Sequence, residues 1–213
     1  MFRRKAYDIL LEWKEEYRCS YACLLEGARR VGKTTIAEEF AKKEYQSYIK
    51  IDFANVTEEL LDVFKDIAKP DLFFLRLQAE TGVRLYERNS VIIFDEIQLY
   101  PRARQAIKYL VKDGRYDYIE TGSLISIKKN VKGIMIPSEE HKINVYPMDY
   151  EEFLWAVEGN PEIIRQICDS GIASGMRQIE VLCAISDFIW LCEECRRRLK
   201  PILKRKILIM STR

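Results

Sequence analysis

The strongest constraint on this chain is eight residues long. Gly27-Ala28-Arg29-Arg30-Val31-Gly32-Lys33-Thr34, followed by Thr35, meets the spacing GxxxxGK[ST]. Tyr21 to Leu25 before it is a short apolar run that reads as a buried strand ending in a tight turn at Glu26-Gly27. Directly after it a helix is predicted, with Ile36, Ala37, Phe40 and Ala41 inward and Glu38, Glu39, Lys42 and Lys43 outward. Strand, glycine loop and helix in that order place backbone N–H groups and the positive end of a helix around a phosphate. The glycines permit close backbone approach, Lys33 reaches the β- and γ-phosphates, and the Thr34 hydroxyl ligates Mg²⁺. Residues 27–35 are thus the expected cradle of a nucleotide, with Arg29 and Arg30 as spacers facing solvent or a neighbouring strand. The bland alternative is a glycine turn carrying an exposed lysine.

The surrounding pattern says what such a loop would sit on. Residues 2–17 carry Phe2, Leu10, Trp13 and Tyr17 at largely helical intervals, an opening amphipathic helix. Tyr48 to Phe53 alternates as a strand. Thr57 opens a helix with Leu60, Leu61, Phe64 and Ile67 on one face, and Pro70-Asp71 opens another that runs to Gly82. Ser90 to Phe94 is β-branched and apolar, the kind of strand that a parallel sheet buries on both faces. A helix around Ala103 to Val111, a strand at Tyr116 to Glu120, a further strand at Lys142 to Val145 and a helix at Met148 to Val157 complete the pattern. Alternating strands and helices imply an α/β fold, a parallel sheet with helices on both faces. Residues 1–20 read as an N-terminal helix, 21–160 as the main domain, and 161–213 as an irregular helical tail.

Mg²⁺ held by one hydroxyl and phosphates calls for a carboxylate at the end of another strand. Asp95 terminates Val91-Ile92-Ile93-Phe94, and Glu96 follows it. Asp95 is the expected metal residue, with Thr34, and Glu96 the residue that orients and deprotonates a water. An Asp-Glu pair that merely caps the next turn is the alternative. Thr121 and Ser123 end the following strand, where a hydroxyl would meet the γ-phosphate or the water; capping is the competing role, and Thr121 is preferred over Ser123.

Composition narrows the rest. At 213 residues, with 48% apolar and 32% charged residues, the chain suits a folded domain rather than a disordered one. No apolar run approaches membrane-spanning length and no signal core follows Met1-Phe2-Arg3-Arg4-Lys5, so a cytoplasmic protein is expected. The six cysteines are expected as free thiols. A zinc site at Cys192 and Cys195 lacks a second ligand pair, because His141 is the sole histidine. Eight basic and no acidic residues lie between Arg196 and Arg213, and the net +2 of the whole becomes −6 once those eight are set aside. Nucleic-acid binding through that tail is therefore a weak reading.

Taken together, Gly27 to Thr35, Phe94-Asp95-Glu96-Ile97-Gln98, Thr121-Gly122-Ser123 and Tyr146-Pro147-Met148-Asp149-Tyr150-Glu151-Glu152-Phe153-Leu154 resemble the AAA-type ATPases of bacteria and archaea that carry a DUF4143 domain after the ATPase. The resemblance covers residues 1–165. It implies a RecA-like AAA+ P-loop core that takes ATP and Mg²⁺, with Glu96 as catalytic base and a polar sensor at Thr121. Two departures stand out. Where many relatives have a Gly-Arg pair, this chain has Ile136-Pro137-Ser138-Glu139-Glu140-His141, so no arginine finger carries over. The relatives' C-terminal helical domain, with its Gly-x-Pro turn, is also not recognisable.

Near Gly175 the pattern becomes cysteine- and arginine-rich. Codons permitted for Glu193 to Lys204, read one base out of step, spell a Gly-Met-Pro-containing string similar to the family's continuation. The expectation is a frameshift near residue 175, and the alternative is a native short helix with a basic arm. Three readings of function follow. The first is a Mg²⁺-dependent ATPase, with a protein partner or self-association possible. The second is a nucleotide-binding regulatory or interaction module without efficient turnover, and the third a fragment without function.

Overall fold

The computed structural model describes residues 2–123 and 139–156. The CxxC pair, the basic run, the segment from Gly175 onward and Ile136 to Ser138 lie outside them. The described residues divide into two compact units, Ala6–Val145 and residues 2–5 with 146–156.

In the larger unit, α1 (Lys5–Glu16) leads to β1 (Ala22–Gly27), α2 (Lys33–Glu44) and β2 (Ser47–Asp52). A short α3 (Glu58–Val63), capped by the Thr57 hydroxyl accepting from the Leu60 N–H, continues as a 3₁₀ turn at Phe64–Asp66. Then come α4 (Pro70–Thr81) and β3 (Ser90–Asp95), a 3₁₀ turn at Ile97–Leu99, α5 (Pro101–Asp113), β4 (Asp117–Ser123) and β5 (Glu140–Asn144). Proline at the first helical position and a left-handed glycine after the last one bound both α4 and α5, at Gly82 and Gly114.

The five strands form one sheet in the order β2-β3-β4-β1-β5, and every pairing is parallel. Strand parity decides which core each residue joins. Cys23, Leu25, Val91, Ile93, Ile119 and Ile143 face α1 and α2, where Leu10, Trp13, Ile36 and Phe40 are buried. Leu24, Ile49, Ile51, Ile92, Phe94 and Tyr118 face α3, α4 and α5, in an aromatic cluster with Phe53, Phe64, Phe73 and Tyr100. Every residue of β3 and β4 is buried, as helices on both faces require.

Elements fall where the pattern predicts them, with shifted ends. β4 ends at Thr121-Gly122-Ser123, which stay in register with Leu25, Glu26 and Gly27. The fifth strand starts at Glu140 rather than Lys142, since Ala22 already pairs with Glu140.

In the smaller unit, α6 (Tyr150–Ala156) opens with a reciprocal cap. The Glu152 N–H donates to Asp149 Oδ1 at 2.9 Å and the Asp149 N–H donates to Glu152 Oε2 at 3.0 Å. The first residues of the chain join it: Lys5 Nζ lies 2.6 Å from Asp149 and 2.9 Å from Glu151, and Arg4 Nε lies 3.2 Å from Glu152. Among the described residues no helix is long and apolar enough to cross a membrane, and Cys19 and Cys23 are free thiols.

Candidate functional site

The loop springs from the C-terminal end of β1 and delivers the chain into α2. Gly27 has no alternative there. A Cβ on it would lie 2.2 Å from the carbonyl oxygen of Val145, whose own N–H donates to the Glu26 carbonyl at 2.8 Å. Gly32 closes the loop at φ 96°, a left-handed conformation open to glycine, and no side chain caps the helix it begins. The first turn of α2 holds no acidic residue either, so the positive end of the helix suits an anionic ligand. Ala28, Arg29 and Arg30 are exposed; Val31, Gly32 and Lys33 are buried.

Lys33 folds back across this loop, donating from Nζ to the carbonyls of Ala28 at 2.7 Å and Gly27 at 3.2 Å. Burial pushes the pKa of its ammonium down, with Glu96 and Asp95 opposing that shift. A charged group in this position gains from an added anion, which is what a phosphate supplies.

Thr34 and Asp95 meet although 61 residues separate them: the Thr34 hydroxyl donates to Asp95 Oδ1 at 2.7 Å. Asp95 is buried. Thr121, on the strand between β1 and β3, donates its hydroxyl to the same Oδ1 and accepts the Glu96 N–H at 3.3 Å. The Thr121 side chain therefore lies at Asp95 and at the backbone of Glu96. Glu96 is half-buried and left-handed, at φ 53° and ψ 44°, a conformation that non-glycine residues adopt sparingly and that collects at functional sites. Its carboxylate accepts from Gln98 Nε2, and Gln98 is itself buried in the 3₁₀ turn.

A hydroxyl and a carboxylate in direct contact, both hard oxygen donors, suit Mg²⁺. Among the described residues no group of three or more His, Cys, Asp or Glu forms a metal cage. The remaining ligands would have to come from phosphate oxygens and water, as is usual for Mg²⁺. Of the stretch without a Gly-Arg pair, the described part is engaged in structure. Glu140 takes a bidentate pair from Arg104 at 2.8 and 2.9 Å, and His141 stacks on Tyr17 with ring centroids 4.5 Å apart.

Of the residues expected from sequence, the structure brings Thr34 and Thr121 onto Asp95 with Glu96 beside them; Lys50 and Gln98, not singled out by sequence, join them. Lys50 Nζ stands 2.5 Å from Glu38 Oε1 and 3.6 Å from Asp95 Oδ2. Its signal was the alternation of β2, which sets Lys50 on the face opposite Ile49 and Ile51. Gln98 stood two residues past Glu96, within reach if the chain turned tightly.

Residues 20–154 match a family model described as an AAA domain. The chain is 30% identical over 159 residues to the uncharacterized protein MJ1637 of Methanocaldococcus jannaschii, an overlap of 72% of this chain and 32% of that protein. It thus spans about a third of that relative's length. Among solved structures it is similar to the Pif1 helicase from Candida albicans, with a TM-score of 0.39 and 11% identity over 79% of this chain and 48% of that one. It is also similar to PCH-2 of C. elegans, with a TM-score of 0.37 and 13% identity over 81% and 46%. The loop on a parallel α/β sheet, and the family match across most of the described residues, make this chain a member of the AAA domain family of nucleotide-binding proteins.

Proposed function

We propose that this chain is a Mg²⁺-dependent ATPase. The observation that carries the reading is the Thr34–Asp95 hydrogen bond, formed at a helix start that no side chain caps, with Glu96 next in sequence to Asp95. The loop N–H groups and Lys33 bind the phosphates, with the ammonium moving from the Ala28 and Gly27 carbonyls to phosphate oxygen. Thr34 and Asp95 would hold Mg²⁺, which would supply positive charge against the phosphates. Glu96 takes the proton from a water whose oxygen attacks the γ-phosphorus, and the bond to the β–γ bridging oxygen breaks to give ADP and phosphate. Thr121 keeps the Asp95 carboxylate and the Glu96 turn in one arrangement.

The test is steady-state phosphate release by the full chain and by Glu96→Gln. Turnover is expected to fall about 10²- to 10⁴-fold, the usual contribution of a general base, with the Kd for MgATP kept within a few-fold. Equal rates would remove Glu96 from this role. The Gln98–Glu96 hydrogen bond favours a second reading, a module that binds ATP and does not turn it over, because it occupies a carboxylate oxygen that a base needs. Tight MgATP binding with no phosphate release from the wild type identifies that module.

A further inference from the structure

We infer that Lys50 is a positioning residue for the metal, holding Asp95 by one oxygen so that the other faces Thr34; this rests on the MgATP reading of the loop. Lys50 lies on the α2-facing side of β2. Its ammonium is 2.5 Å from Glu38 Oε1 and 3.6 Å from Asp95 Oδ2. Glu38 stands four residues after Thr34 on α2, one helical turn along the same face. A single cation thus ties the helix that brings Thr34 to the strand that carries Asp95.

The two oxygens of Asp95 are divided as a result. Oδ1 takes the hydroxyls of Thr34 and Thr121, and Oδ2 faces the ammonium. The terminal torsion of a carboxylate is broad and two-fold; the hydroxyls of Thr34 and Thr121 hold Oδ1, and the ammonium near Oδ2 adds a charge that selects one of the two arrangements. Two effects of Lys50 on Mg²⁺ oppose one another: orientation of the carboxylate strengthens binding, and like-charge repulsion weakens it. Glu38, paired at 2.5 Å, cancels much of the ammonium's field at the metal and leaves its geometry intact. Orientation wins.

The experiment measures ATP affinity of the full chain by calorimetry, once in EDTA and once in excess Mg²⁺. The ratio of the two is the factor by which the metal tightens the nucleotide, a coupling that is reciprocal by linkage. In Lys50→Met this factor is expected to shrink at least threefold (on the order of 0.7 kcal/mol of coupling), while the Kd in EDTA stays within twofold. Lys50→Arg restores the factor to within twofold of wild type. An unchanged or larger factor in Lys50→Met overturns the proposal, as does an equal loss of affinity in EDTA. Should Lys50→Met lack a cooperative melt, Lys50→Gln carries the same expectation and the same refutation. A wild-type factor of one, or no ATP binding by the wild type, is a different failure, that of the MgATP reading itself.

Discussion

Thr121 shows how much of the site depends on one small side chain. It is buried, its hydroxyl hydrogen goes to Asp95, and its oxygen accepts the backbone N–H of Glu96. Thr121→Val keeps most of the shape and removes both bonds, leaving a half-buried N–H without its acceptor. The expected cost is about 1–3 kcal/mol of stability by urea denaturation, with a loss of turnover, and Thr121→Ser should recover most of each. A Val variant as stable and active as wild type would mean that the hydroxyl holds nothing. At this scale the residues legible in sequence were those whose role is defined by spacing within one segment. Lys33 and Thr34 are set by the glycine loop, and Asp95 by the end of an apolar strand. Lys50 and Gln98 act through neighbours brought in by folding, Glu38 from α2 and the turn after Glu96, and spacing carries no record of such partners. The same holds for the contact of Gly27 with Val145, 118 positions later, which explains a glycine that the motif alone only permits.

Among the elements, β4 carries Thr121 at its end and a buried carboxylate just before it. Residues of the types at Thr121-Gly122-Ser123 also cap turns, and pairing with β1 holds all three in the sheet at the strand's end. Glu120 is completely buried, and among the described residues neither of its carboxylate oxygens has a hydrogen-bond partner. Burial, and secondarily the Glu140 carboxylate, push its pKa well above the ordinary 4.5, with Arg104 opposing. The folded state therefore keeps a proton that the unfolded chain gives up above about pH 4.5, so the group's contribution to stability is whole below that pH and is lost as pH rises toward the folded pKa. Glu120→Leu should accordingly be more stable than wild type at pH 8, by about 1–3 kcal/mol, and the difference should narrow as the pH approaches 5. Urea denaturation of both chains at several pH values checks this; a difference that is constant with pH would place the proton elsewhere.

Across the larger unit, the sheet order explains why the site is assembled from segments far apart in sequence. With β4 between β1 and β3, the loop after β1 and the carboxylate at the end of β3 stand two strands apart, and α2 lies over the gap to bring Thr34 to Asp95. Alternating elements made a parallel sheet legible; they did not say which strand lies beside which, because hydrophobic period reports the buried faces of a strand and not its neighbours. One consequence is that a ligand touching residues 27–35, Asp95 and Glu96 binds only when β1, β3 and α2 are all in place. Nucleotide binding should then stabilise the unit by mass action, about 2.7 kcal/mol at a free MgATP concentration one hundred times Kd. A thermal melt of the full chain with and without MgATP reads this as an upward shift. Lys33→Ala should melt cooperatively without nucleotide and lose most of the shift, since its ammonium joins the phosphates only in the bound state. If Lys33→Ala shifted as far as wild type, the stabilising ligand contacts would have to lie away from the loop, and the assignment of residues 27–35 as the phosphate cradle would fall with them.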